Sequence, residues 1–487
     1  MFTLQQLIDS IPFYSMSTEE DPVVHHLEMD SRHVTLGSLF FCVPGYTVDG
    51  HDFAEEAEKN GAVAIIAERP VSVDIPVVIV KDVNRAMALI ANKYYDHPTS
   101  KFQLIGVTGT NGKTTTTHFI EQILQYEGKG TGLIGTLYVK MNGETEDVVN
   151  TTPAALPLQQ TFDRMVDNNV NAAVMEVSSH ALSLGRVWGC DYDIAVFTNL
   201  TQDHLDYHKT MDHYRFSKSL LFSQLGNAYH RSPKYAVINR DDEAAPFFEE
   251  ASAAPVITYG LENEADLQAV NVEATPKGTT FQLKTPRTTL PFSLNLLGRF
   301  NVYNALASIA ACYAAGIDLE RIRDAMHSVA GVPGRFERVD VDADYSVIVD
   351  YAHTPDSLEN VLQTATEVCQ GSLTVVVGCG GDRDRTKRPV MAEVACRYAD
   401  RSIFTSDNPR SEKPELILED MEAGVPKEDY ETIVDRKEAI NKAVDQAQAG
   451  DVIVIAGKGH ETYQEVGGQR LDFDDRLVAK QAMKGRA

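Results

Sequence analysis

Short runs of consecutive apolar residues recur along this chain, and between them apolar positions return every three or four residues. The runs are what strands buried on both faces look like, and the intervening period is helical, so the pattern predicts parallel sheets covered by helices, an α/β fold. Up to about residue 98 the runs are LGSLFFCVPG (36 to 45), AVAIIAE (62 to 68) and IPVVIV (75 to 80), separated by polar helical stretches such as FAEEAEKNGA. They predict a small α/β domain over residues 1–98. The stretch YYDHPTSKF (94 to 102) breaks the periodicity, as a linker does.

From 99 to 333 the runs LIGV, AAVMEV, IAVFTN and YAVIN alternate with helical patterns, which predicts a central domain built on a parallel sheet. GVPGRFE (331 to 337), with glycines on both sides of a proline, marks the next boundary. Over 334–487, YSVIVDYAHTP, LTVVVGCGGDRD, RSIFTSDNPR and DVIVIAGKGHE each pass from an apolar strand into a Gly-rich or charged loop, predicting a third α/β unit. Ligands of open α/β sheets bind beyond the carboxyl ends of strands, so these loops are the expected seat of chemistry.

Composition narrows the picture. A chain of 487 residues suits about three domains at roughly 100 to 200 residues each. Lys plus Arg number 44 and Asp plus Glu 70, a balance of −26 that repels phosphate backbones and anionic membrane surfaces, so nucleic-acid binding is not expected. The six cysteines are scattered without a CxxC pair and read as reduced thiols rather than a disulfide framework or a zinc site. MFTLQQLIDSIPFY lacks a basic start followed by an apolar run, and no stretch reaches the roughly 18 apolar residues that a membrane span needs. A cytoplasmic monomer without membrane insertion is expected.

The strongest local signal is Gly106-Val-Thr-Gly-Thr-Asn-Gly-Lys-Thr-Thr115, which follows a strand and opens a helix with an apolar face of Phe119, Ile120, Ile123 and Leu124. Glycines let backbone N–H groups close around phosphate oxygens, and the helix N-terminus adds partial positive charge. Lys113 then reaches the β- and γ-phosphates and the Thr114 hydroxyl can ligate Mg2+. Val107 stands where the eight-residue form of this loop has its first glycine, leaving the shorter GTNGKT form. ATP and magnesium are therefore expected, with Glu176, at the end of AAVMEV, as a hard oxygen ligand. The amides of Asn301 and Asn304, just after Gly298-Arg-Phe, can pair with an adenine edge. Pro409 fixes the local backbone so that Arg410 projects from a stiff turn. A planar guanidinium there would pair with a carboxylate in a two-bond fork and repel a bare ammonium.

GTNGKTT, EVSSHAL, TNLTQDHLDYH, GRFNVYNALA, GRFE, DYAHTPDSL, GCGGDRDRTKRP, SDNPRSEKP and GKGHETYQ together resemble the Mur ligases of peptidoglycan precursor synthesis. The resemblance runs from Asp30-Ser-Arg to about Gln464 with the motifs in order. It implies an N-terminal domain that holds a uridine nucleotide, a central P-loop ATPase-like domain and a C-terminal Rossmann-like domain. It also implies a reaction: addition of meso-2,6-diaminopimelate to the D-glutamate side-chain carboxylate of UDP-N-acetylmuramoyl-L-alanyl-D-glutamate, through an acyl phosphate.

Carried over position by position, the resemblance assigns ATP to Gly109, Thr110, Asn111, Gly112, Lys113, Thr114, Thr115, Asn301, Arg335, Asp350 and His353. It assigns metal and catalysis to Lys113, Thr114, Glu176, His204 and Lys218, with Lys218 modified to a carbamate. The nucleotide-sugar dipeptide falls to Ser31, Tyr46, Thr47, Val48, Asn111, Thr151, Thr152, Ser178 and Arg186. Diaminopimelate falls to Arg383, Asp407, Asn408, Pro409, Arg410, Gly457 and Glu461. One departure is Leu184, two residues before Arg186, where many members carry glutamine. Other readings are a ligase that takes lysine, a folylpolyglutamate synthase sharing the fold, and a P-loop switch or motor ATPase. Arg410 argues against lysine, Ser31 and EVSSHAL against folate, and a motor leaves DNPR and GKGHE unexplained.

Overall fold

The protein is described by a computed structural model covering residues 2–45, 48–148, 150–226, 233–275, 278–427 and 429–486. Three sheets organise it. The first has five strands in the order Ser15–Met16, Val77–Ile79, Ala62–Ala67, Ser38–Phe41, His26–Glu28, all parallel except the first pairing. Its core takes Leu4, Leu7, Val83, Met87 and Ile90 from flanking helices, and also Ala155 and Leu156 from the next unit.

The second sheet has eleven strands. Its middle is parallel, running Thr131–Ile134, Ala172–Glu176, Gln103–Thr108, Ile194–Phe197, Tyr235–Asn239, Val256–Gly260, Leu267–Thr275. Along Gln103–Thr108 the side chains alternate between two cores: Ile105 and Val107 face Phe119, Ile120, Ile123 and Leu124, while Leu104 faces Phe162 and Phe222. Both faces are dry, which is why the strand reads as one unbroken apolar run. Burying each of those four helix side chains stabilises the fold by about 1.5–3 kcal/mol.

The parallel sheet expected from the strand runs is extended by antiparallel strands at both edges. Glu144–Glu146 pairs with Val139–Met141 around Asn142 (φ 49°) and Gly143 (φ 102°), and Gly278–Lys284 and Thr289–Leu294 close the far edge. An Asn-Gly pair with both φ values positive makes a two-residue hairpin turn whose twist matches the strands it joins. The dipeptide was there to read; the short, polar strands beside it, unlike the buried runs, carry little apolar signal.

The third sheet runs Glu337–Arg338, Ser346–Asp350, Val452–Ala456, Leu373–Val377, Arg401–Phe404, Glu431–Thr432, parallel apart from the first pairing. Helices Pro355–Val368, Lys387–Tyr398 and Pro414–Glu422 cover one face, and Arg436–Gln446 and Asp475–Arg486 the other. Asp350, Val377, Phe404 and Ala456 end the four central strands on one edge, so the loops singled out in the sequence emerge together. No helix among the described residues is long and apolar enough to cross a membrane.

Candidate active site

The loop from Gly109 to Gly112 joins the strand Gln103–Thr108 to the helix Lys113–Tyr126. Gly109 (φ 151°) and Gly112 (φ 85°) hold backbone conformations that side chains rarely adopt, and a Cβ on Gly109 would lie 1.9 Å from Thr198 Oγ1. The loop is pinned from TNLT: Thr110 N donates to Asn199 O (2.9 Å), Asn111 N to Asn199 Oδ1 (2.8 Å), and Thr198 Oγ1 to Asn111 O (2.6 Å). Gly109→Ala is expected to push the loop off Thr198 and lower kcat/KM for ATP about 10²-fold, since misplacements near 1 Å cost that much. Steady-state kinetics check this, and an unchanged value refutes the tight-fit account.

Lys113 Nζ curls back to donate to Gly109 O (2.9 Å) and Thr110 O (2.7 Å). Thr114 Oγ1 donates to Glu176 Oε2 (3.1 Å) and accepts from Arg335 Nη2 (3.1 Å). Glu176 also accepts from Thr136 N (2.8 Å) and Thr136 Oγ1 (3.1 Å), and that hydroxyl lies 3.1 Å from Thr151 Oγ1. A ring of hard oxygens is thus assembled at the helix N-terminus. Thr152 Oγ1 donates to Glu176 O (2.9 Å) and accepts from Ser178 N (3.0 Å), and Arg186 Nη1 donates to Thr152 O (3.1 Å).

Lys218 lies on the helix Met211–Ser223 yet is buried, its amine 2.7 Å from the Gly109 carbonyl that also accepts from Lys113, and above the Tyr214 ring at 4.5 Å. Burial first, and then the neighbouring Lys113, hold this amine well below its ordinary pKa. His204 (φ 55°) stands 4.9 Å from the His180 ring, and burial lowers its pKa. Asp203 beside it is reached by His204 Nε2 (3.4 Å), His353 Nε2 (3.8 Å) and Lys387 Nζ (3.8 Å). Burial would raise the Asp203 pKa, but the two imidazoles, the Lys387 ammonium and the His204 backbone N–H outweigh it and hold the carboxyl well below the usual range.

Asp203 therefore bridges the central and C-terminal units. Two more polar contacts do the same: Asn111 Nδ2 donates to Asp356 Oδ2 (2.8 Å), and Gln202 Nε2 to Thr386 Oγ1 (3.3 Å). Between the units lies a cleft of about 630 Å³ lined by Thr110–Thr115, Glu176, His204, Lys218, Arg335, Asp350 and His353 among others. The Asp350 carboxyl accepts from Phe336 N (2.6 Å) and Ala352 N (2.7 Å), and burial raises its pKa to about 6. Arg335 stacks on Tyr351 at 4.4 Å, and His353 is pushed down to about 4 by burial.

Sequence reasoning missed Tyr259, Phe300, Tyr303, Asp356 and Asp203 in this cleft. Asn304 lines the cleft, whereas Asn301 is not among the lining residues and turns its amide to Leu297 O (2.8 Å).

The remaining candidates form two further groups. Arg410 (φ 52°) donates from Nη1 to Gly381 O (2.7 Å), with Nε 3.5 Å from Glu465 Oε2. Gly380 leaves it room, since a Cβ there would lie 2.9 Å from Arg410 Nη1 and 3.8 Å from Arg383 Cγ. Buried Lys458 donates to Asn408 Oδ1 (2.9 Å) and Glu461 Oε2 (2.9 Å), and Asn408 Nδ2 to the same Glu461 oxygen (2.8 Å). Asp407 meets Gly457, where a Cβ would come within 2.5 Å of Asp407 Oδ2. This cluster, with Pro409, lies outside the residues lining the cleft. Ser31, in the first unit, donates to Glu56 Oε2 (2.8 Å), and Val48 is exposed. Tyr46 and Thr47 lie outside the described residues.

The oxygen-rich corner suits a hard cation. Among the described residues no three His, Cys, Asp or Glu side chains converge as a metal cage.

Comparison with known proteins adds an independent line. The chain matches the Mur ligase middle domain over residues 107–312, the Mur ligase glutamate ligase domain over 334–459 and the Mur ligase family catalytic domain over 23–95. It is 58% identical over 486 residues to the UDP-N-acetylmuramoyl-L-alanyl-D-glutamate--2,6-diaminopimelate ligase of Geobacillus thermodenitrificans, covering 99% of each chain. It is 57% identical to the protein of the same name from Halalkalibacterium halodurans, covering 100% of each. A solved structure of a ligase of that name is 35% identical and superposes with a TM-score of 0.69 over 98% of each chain.

Proposed function

Since the chain belongs to the Mur ligase family, we propose that it is an ATP-dependent ligase that adds meso-2,6-diaminopimelate to UDP-N-acetylmuramoyl-L-alanyl-D-glutamate in peptidoglycan synthesis. The observation that carries this reading in the structure is the cleft itself, where a phosphate loop from one unit meets Arg335, Asp350 and His353 from the other. Residues 1–98, 99–333 and 334–487 divide the work as nucleotide-sugar, ATP and amino-acid domains.

A carboxylate in water is a poor electrophile, and its conversion to an acyl phosphate supplies a leaving group. The D-glutamate side-chain oxygen attacks the γ-phosphorus of ATP and ADP departs. The amine of diaminopimelate then attacks the acyl carbon, loses a proton, and the tetrahedral intermediate expels inorganic phosphate. Positioning and charge neutralisation carry most of such phosphoryl transfer.

The helix N-terminus that opens at Lys113 presents backbone N–H groups to the phosphates, and Lys113 swings from its own loop carbonyls to the β- and γ-phosphate oxygens. Arg335, stacked on Tyr351, brings a second positive charge over Thr114. Asn304 and the aromatic residues of the cleft flank the adenosine. Thr114 and Glu176 would hold one magnesium, and His204 with a carbamate on Lys218 would hold a second. When bound, magnesium neutralises the charge that builds up on the transferring phosphoryl oxygens. Thr151, Thr152, Ser178 and Arg186, linked through the Thr152 hydrogen bonds, hold the dipeptide end of the nucleotide substrate, and Ser31 its uridine end. Arg383 and Arg410 take the distal carboxylate of diaminopimelate, and Glu461 its distal ammonium. These local cations answer the opposition of a chain of net charge −26 to anionic substrates.

The test is isotopic. With oxygen-18 in the D-glutamate side-chain carboxylate, the expected result is label in the inorganic phosphate released with each amide formed. Phosphate free of label would reject the acyl phosphate.

A further inference from the structure

Arg436 and Asp475 are both fully buried, with Nε to Oδ1 and Nη2 to Oδ2 each at 2.8 Å. Neither residue belongs to a motif noted in the sequence. A buried ion pair adds little net stability, because desolvating two charges offsets most of their attraction, and an apolar pair of similar volume often does as well or better. Where else the guanidinium reaches is therefore informative.

Arg436 Nη2 also donates to Ala456 O (2.9 Å), and Nη1 to Ser406 O (3.4 Å). Ala456 ends the strand Val452–Ala456 and precedes Gly457, while Ser406 precedes Asp407. One planar group thus ties the stems of the two loops that carry the amino-acid contacts. The loops touch just above, where Gly457 has no Cβ to strike Asp407. Gly457 N donates to Asp350 O (3.1 Å), joining the same stem to the ATP side of the cleft. The charge of Arg436 reaches Asp407 and Glu461 as well. Asp475, at the start of the final helix, fixes the guanidinium plane from the far side.

We propose that Arg436, oriented by Asp475, is a positioning residue that sets the spacing of the Asp407–Arg410 and Gly457–Glu461 loops and so the affinity for diaminopimelate. This rests on the reading of those loops as the amino-acid pocket. Lysine at 436 keeps a charge against Asp475 but has no fork to span two carbonyls. A methionine–leucine pair restores packing without either carbonyl bond.

The experiment compares Arg436→Lys and the paired Arg436→Met, Asp475→Leu variant with the unaltered full-length enzyme, measuring melting temperature, kcat and KM for all three substrates. In both variants KM for diaminopimelate is expected to rise about tenfold or more, with KM for ATP within about twofold, as for a pocket loosened by a fraction of an ångström. The apolar pair is expected to melt near the unaltered enzyme. A paired variant that keeps the original KM for diaminopimelate, or an Arg436→Lys enzyme in which all three KM values rise alike, would assign Arg436 to stability alone and overturn the proposal. Failure of the underlying reading shows separately, as an unaltered enzyme that does not consume diaminopimelate.

Discussion

Lys218→Ala is expected to lower kcat about 10³-fold, the scale on which removing one preorganised electrostatic group from a reacting centre acts. The reason begins with an awkward placement. The amines of Lys218 and Lys113 share the Gly109 carbonyl, Lys218 fully buried and Lys113 half-buried. Two ammonium groups so placed repel, and Lys218 is cut off from water, so both effects favour its neutral amine. A neutral amine is the form that adds carbon dioxide: its lone pair closes the N–C bond, a proton leaves, and an oxygen-rich anion replaces a would-be cation. That anion would relieve the repulsion with Lys113 and would offer hard ligands beside His204. Alanine deletes it while removing a poorly solvated group, so the melting temperature should hold even as activity falls. Added acetate, able to enter the space, should restore part of the rate. Carbon-13 NMR after supplying labelled bicarbonate should show the carbamate in the unaltered enzyme alone. A Lys218→Ala enzyme fully active without added carboxylate would exclude the role.

Arg410→Ala is expected to raise KM for diaminopimelate by about 10² or more, since cutting one side of a hydrogen-bonded charge pair costs about 2–5 kcal/mol. KM for ATP should move less than about twofold, because Arg410 is not among the residues lining the ATP cleft. The guanidinium is held by Gly381 O on one side and Glu465 on the other, and its backbone sits in the left-handed region, so it reaches its partner already oriented. Discrimination against lysine, about 10⁴-fold for a site built around a polar group its competitor lacks, should collapse with it. Parallel assays with diaminopimelate and L-lysine check both points, and equal shifts in the two KM values would remove Arg410 from the pocket.

How much of this was legible in the sequence follows from the range over which each interaction acts. The phosphate loop was readable because its chemistry is contiguous, with glycines, Lys113 and Thr114 in one turn. The strand runs gave the parallel sheets because burial on both faces leaves no polar face to interrupt them. Nothing local marks Lys218 for burial, since a lysine on an amphipathic helix usually keeps its amine in water, and what buries it is the Gly109 loop more than a hundred residues earlier, together with Tyr214. Asp203 gave no signal, because its partners Lys387 and His353 come from the C-terminal unit more than a hundred residues on. Asn301 and Asn304 share a helix face by spacing, yet a nearby carbonyl claims one and the cleft the other. Arg436 and Asp475 had no local signal at all, being a pair 39 residues apart that only the fold brings together.

The seam across the cleft has its own consequence. Asn111 with Asp356, Gln202 with Thr386, and Asp203 with Lys387 are polar contacts, each of which water can replace when the units part. An interface of this kind acts as a clasp rather than a weld, undone and remade at little thermodynamic loss. Its ionic member is buried while the units are closed, and its charges meet mobile ions only as they part. Salt would thereby favour the parted state over the closed one, leaving the bond-making step within untouched.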